Sequence, residues 1–65
     1  MQLTIDDIIP TVIIDGREYR ATNFRYSGNG RKWADVEYYH LDRGWREVKN
    51  LDRINLIATM LWPNN

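Results

Sequence analysis

The sequence predicts an α+β fold, a four-stranded antiparallel β-meander with a C-terminal helix packed on one face. Three observations predict it. Asp15-Gly16, Ser27-Gly28-Asn29-Gly30 and Asp42-Arg43-Gly44 are turn signals that separate four short runs of strand-forming residues. Once the turns set a register, alternate residues sort into an apolar face and a charged face. Finally, Leu51, Ile54, Ile57, Ala58, Leu61 and Trp62 fall on one helical stripe.

Taken in order, Thr4-Ile5-Asp6-Asp7-Ile8-Ile9 reads as a short helical turn. Thr4 caps it, Asp6 and Asp7 complement its positive end, and Pro10 stops it. Thr11-Val12-Ile13-Ile14 then meets Asp15-Gly16, the signature of a two-residue type I′ hairpin. Ile14 pairs with Arg17, Ile13 with Glu18 and Val12 with Tyr19. A four-residue loop, Ser27 to Gly30, sets Tyr26 opposite Arg31 and Phe24 opposite Trp33. Thr22 then faces Asp35, Ala21 faces Val36, Arg20 faces Glu37 and Tyr19 faces Tyr38. With Asp42-Arg43-Gly44 as a three-residue loop, Leu41 faces Trp45 and His40 faces Arg46. Tyr39 then faces Glu47, Tyr38 faces Val48 and Glu37 faces Lys49.

This register gathers Val12, Ile14, Tyr19, Ala21, Ala34, Val36, Tyr38 and Val48 on one face, the expected core. On the other it sets Glu37 between Arg20 and Lys49, opposite charges on both sides. A one-residue slip would destroy both patterns.

Asn50 is a good N-cap for the last segment, Asp52 sits in its first turn, and Pro63 follows its end. A helix from Leu51 to Leu61 would lay its stripe on the apolar face. The same residues also alternate through Ile54, Leu56, Ala58 and Met60, as a fifth strand would. Few of them are β-branched, which favours the helix.

Gly16-Arg17-Glu18-Tyr19-Arg20-Ala21, then Val36-Glu37-Tyr38-Tyr39, Asp42-Arg43-Gly44 and Val48, resembles the pattern of Tudor-type SH3-like barrels. The match covers about two-thirds of the chain. The resemblance implies an alternative fold, a small five-stranded barrel, and the aromatic cage for methylated Lys or Arg that such modules often carry. The longer first loop that would supply cage aromatics is missing here, because Asp15-Gly16 is only a tight turn.

Sixty-five residues make a single small domain, 1–65, near the lower limit for independent folding. With no Cys and one His, the chain has neither disulfides nor a thiolate or histidine-cluster metal site, and no cofactor is expected. Small scaffolds of this kind rely on efficient packing or on self-association. The start shows no signal-peptide pattern and the apolar runs are too short to span a membrane, so a cytoplasmic protein is the expectation. Nine bases balance nine acids, though unevenly. Residues 1–16 carry Asp6, Asp7 and Asp15 and no base. Residues 17–32 carry Arg17, Arg20, Arg25, Arg31 and Lys32 against Glu18 alone. A neutral total argues against general phosphate-backbone binding and leaves room for a local basic patch.

Candidates for chemistry are few. Asp6-Asp7 reads as helix-start charge. Gly28-Asn29-Gly30 lacks the Lys-Ser/Thr and helix of a phosphate loop. His40 has no partner for general-base work, and no Ser–His–Asp set can be built from one His and one Ser. The expectation is a non-catalytic chain.

The unusual feature is the face away from the core. Phe24, Tyr26 and Trp33 are expected there beside Arg25, Arg31 and Lys32, and Tyr39, Leu41 and Trp45 near Arg43 and Arg46. Exposed apolar patches mark contact sites, and Trp, Tyr and Arg dominate binding hot spots. The expected function is therefore a protein-binding module, an adaptor or small inhibitor. Two alternatives are a single-stranded nucleic-acid binder, with Phe24, Tyr26 and Trp33 stacking bases, and a homodimer built on the same patch.

Overall fold

The structure, a computed structural model, describes residues 9–63. The four antiparallel strands lie side by side in chain order. They are β1 (Thr11–Ile14), β2 (Arg17–Tyr26), β3 (Lys32–His40) and β4 (Gly44–Glu47), and α1 (Leu51–Met60) packs across β3 and β2. The helical turn expected over Thr4 to Ile9 lies outside the described residues, apart from Ile9.

The sheet does not close, so the barrel implied by the Tudor-type resemblance is not this fold. Capping decides the point that alternation left open. The Asn50 side-chain oxygen accepts the Arg53 backbone N–H at 2.9 Å, and Asp52 sits in the positively polarised first turn. The Leu61 N–H closes the far end onto the Ile57 carbonyl at 3.0 Å.

The first hairpin follows its turn chemistry. Asp15 and Gly16 both take positive φ, 53° and 78°, as a type I′ turn requires, and the pairs run from Ile14–Arg17 to Thr11–Arg20. Between β2 and β3 the expected register holds from Tyr19–Tyr38 to Thr22–Asp35. It then breaks at a bulge. Asn23 adopts φ 57°, and Asn23 and Phe24 together oppose Ala34. Beyond it Arg25 pairs with Trp33 and Tyr26 with Lys32, in place of the expected Phe24–Trp33 and Tyr26–Arg31. The loop therefore spans Ser27 to Arg31. The Ser27 N–H donates to the Arg31 carbonyl at 2.8 Å, and the Arg31 N–H donates to Ser27 Oγ at 3.1 Å. Asn is among the few non-glycine residues that tolerate the left-handed region. Asn23 also donates to Asp35 at 3.2 Å, while its carbonyl accepts from Arg25 at 2.8 Å.

The last hairpin turns one residue earlier than expected. The Arg43 N–H reaches the His40 carbonyl at 3.2 Å, and the Asp42 N–H donates to His40 Nδ1, also at 3.2 Å. Gly44 follows at φ 73°. This is a type I turn with a left-handed glycine behind it, tightened by the imidazole. His40 thus pairs with Gly44, Tyr39 with Trp45, Tyr38 with Arg46 and Glu37 with Glu47. Glu37 therefore faces another carboxylate and not Lys49. The displacement is an even number of positions, so the side chains keep their faces.

The buried core is Tyr19, Ala21, Ala34, Val36, Val48, Ile54, Ile57 and Ala58. Ala21, Ala34 and Ala58 are almost wholly buried, and their small side chains let the helix approach the sheet closely. Ile57 is fully buried and is the largest side chain so enclosed. Val12, Ile14, Tyr38 and Leu61 are half-buried against the cluster. Leu51 departs from the expected stripe at 64% exposure, so burial on the helix begins at Ile54. At mid-helix Asn55 donates to the Lys32 carbonyl and accepts from Arg31, each at 2.9 Å, tying α1 to the start of β3.

Candidate functional site

Alternation along β2, β3 and β4 builds two unlike surfaces from the same strands. On the outer face, away from the helix, Tyr39 and Trp45 are cross-strand partners and meet edge-to-face, with ring centroids 5.4 Å apart. Arg20, one row along, lays its guanidinium 4.2 Å from the Trp45 ring centroid while its Nε donates to Glu37 at 2.7 Å. Tyr39 is 43% exposed and Trp45 is half-buried beneath Arg20. Ile13 on β1 shares this face and is 70% exposed. Farther along, Arg25 bridges to Asp35 at 3.1 Å beside its pair partner Trp33, which is half-buried against the edge of the core.

Phe24 and Tyr26 are not on this face. The extra residue at Asn23 reverses their direction, and both turn toward the helix side to meet Trp62. The Phe24–Trp62 pair is edge-to-face at 5.7 Å and the Tyr26–Trp62 pair tilted at 5.1 Å. Lys32 sets its ammonium 5.2 Å from the Trp62 ring centroid. Tyr26 remains largely exposed, whereas Arg31 is held by Asn55. Trp62, expected on the core-facing stripe of the helix, instead joins this satellite cluster beyond the helix end. Arg46 is corrected in the same sense, since its partner Tyr38 lies on the helix side and carries Arg46 with it. Arg43 is exposed in the turn.

The helix covers only part of its face of the sheet. Where it starts, a groove of about 800 Å³ remains open beside the Asn50 cap. Tyr19 and Tyr38 line it, with Arg17, Arg46, Lys49 and Arg53 around them. The Arg17 guanidinium lies 4.6 Å from the Tyr38 ring centroid and the Arg53 guanidinium 5.8 Å from that of Tyr19. Among the described residues Glu47 is the one acid lining the groove, and Trp45 reaches its rim from the edge strand. The sequence reading passed over Arg17, Lys49 and Arg53. They come from β2, the β4–α1 connection and α1, and form no linear run. The available signal was the neighbouring pairs Arg17-Glu18 and Arg46-Glu47, which alternation splits between the two faces.

Three or more His, Cys, Asp or Glu placed to hold a metal ion do not occur among the described residues. His40 is engaged as the acceptor that closes a turn. Among the described residues no helix is long and apolar enough to cross a membrane. The chain matches no family model, no curated protein and no solved structure.

Proposed function

We propose that this chain is a non-catalytic protein-binding module, an adaptor or small inhibitor, that contacts its partner through the outer face of the sheet. The observation that supports this most directly is the Tyr39–Trp45 pair capped by Arg20 on a face that no described element covers. Tyr, Trp and Arg contribute most to binding hot spots, through large contact area and few rotatable bonds. Here they stand on paired strands and brace one another, so docking freezes little additional motion. Exposed Ile13 on the same face and Leu41 at the adjacent turn, 70% and 88% accessible, extend the apolar surface.

The test uses the tagged full chain to capture a partner, which is identified by mass spectrometry and bound again in purified form. Trp45→Ala and Tyr39→Ala should each weaken that purified complex by about 2 kcal/mol or more, with the fold intact by circular dichroism. Retention of full affinity in both variants would remove the outer face as the contact surface. Light scattering on the same samples identifies a self-associating chain. A complex with single-stranded DNA that weakens steeply with salt would favour nucleic acid.

A further inference from the structure

The groove at the start of the helix gathers positive charge that forms no ion pair among the described residues. On the outer face, Arg20 and Arg25 are each bridged to an acid, Glu37 and Asp35. In the groove, Arg17 and Arg53 are placed over tyrosine rings, and Arg46 and Lys49 form no ion pair among the described residues. Among the described residues Glu47 is the only acid beside these four cations, and alternation turns its side chain toward the outer face. In a chain of zero net charge this is a strong local asymmetry.

We infer that this groove is a docking site for an acidic protein segment, a stretch of chain presenting several Asp or Glu carboxylates. Guanidinium groups form paired, charge-assisted hydrogen bonds with carboxylates, and the tyrosine rings hold two of these groups in place before a ligand arrives. The chemistry fits carboxylates better than a nucleic-acid strand for two reasons. Non-specific strand binding needs free aromatic faces on which bases stack. Here the ring of Tyr38 carries Arg17, and Tyr19 is 7% exposed with Arg53 above it. The surroundings also oppose an extended polyanion. The outer face displays Glu18, Asp35, Glu37 and Glu47 against Arg20 and Arg25, a balance that repels a long phosphate chain continuing around the edge strand. A short acidic segment fits the groove without meeting that field.

The inference concerns the helix side of the sheet and does not require the outer-face contact. Tyr39 belongs to the outer face alone, so Tyr39→Ala separates the two. The probes are a fluorescent oligo-glutamate peptide and an oligo-thymidine of matched charge, titrated by anisotropy against the full chain at low and high salt. The glutamate peptide should bind, more weakly as salt rises. The double variant Arg46→Gln/Lys49→Gln should weaken it about tenfold or more, and Tyr39→Ala should leave it unchanged. Both glutamine changes are at exposed positions, and thermal melting checks the fold. If the double variant melts early, the single change Lys49→Glu gives the same reading. No peptide binding at low salt, undiminished binding by the groove variants, or tighter binding of oligo-thymidine would each overturn the assignment.

Discussion

The two sides of this sheet solve the same electrostatic problem in different ways. On the outer side, cations meet carboxylates, Arg20 with Glu37 and Arg25 with Asp35. On the helix side they meet aromatic rings instead, Arg17 with Tyr38, Arg53 with Tyr19 and Lys32 with Trp62. A carboxylate cancels the charge of its partner. A ring face orients the cation and leaves the charge intact. The outer side therefore carries no excess of positive charge and has its aromatic contact surface as the distinctive feature, whereas the groove keeps a net positive field. Adjacent residues produce this contrast. Arg17 and Glu18, or Arg46 and Glu47, are neutral as sequence pairs, yet a strand points them to opposite sides.

The contrast in packing is open to a direct test. Ile57, fully enclosed between helix and sheet, should cost about 2–5 kcal/mol on truncation to Ala, enough to unfold much of so small a domain. Trp45→Ala on the outer face should cost less, because it removes stacking on an accessible surface and leaves the interior filled. Chemical denaturation of both variants checks the order. A larger loss at Trp45 would make the outer face part of the stability core. The bulge comes next. Asn23→Val forces a β-branched residue into the left-handed region and should cost about 1–2 kcal/mol, while Asn23→Gly should be near neutral. Nuclear Overhauser contacts between Phe24 and Trp62 should persist in the Gly variant. Their loss in the Val variant would show a strand slipped back to the unbulged register. The smallest effect is expected at Glu37→Gln. The Arg20–Glu37 pair is partly solvated, with 28% and 38% of the two side chains accessible, so its removal should cost about 1 kcal/mol or less.

Much of this architecture is legible in the sequence. Asp15-Gly16 fixes the first hairpin, and Asn50 with Asp52 selects helix over strand for the last segment. The apolar alternation identifies every sheet residue of the core. What escapes is local backbone chemistry. A strand reading treats Asn23 as one more alternating position, although an Asn among β-branched and aromatic neighbours is the residue best able to take positive φ. That single position decides on which side Phe24 and Tyr26 lie, and so divides the expected aromatic patch between two surfaces. The last hairpin misses for a related reason. Asp42-Arg43-Gly44 marks the turn, but His40 sets its start by accepting a backbone N–H, a contact that glycine spacing does not reveal. The groove is hidden for a third reason, since its cations come together only once the helix is placed.

The order of the elements also sets how the chain reaches this state. Each strand lies beside its immediate predecessor, joined by a tight turn or a short loop, with no crossover between distant segments. Pairings of this kind close short loops, lose little chain entropy before contacts repay it, and zip quickly once started. The β2–β3 hairpin is the natural place to begin, because it is the longest ladder and already gathers Tyr19, Ala21, Ala34 and Val36. The helix, last in sequence, then docks on a surface prepared for it. Strands without the helix therefore leave the apolar side of the sheet uncovered, and the docking of α1 is the step that removes Tyr19, Ala21, Ala34 and Val36 from water.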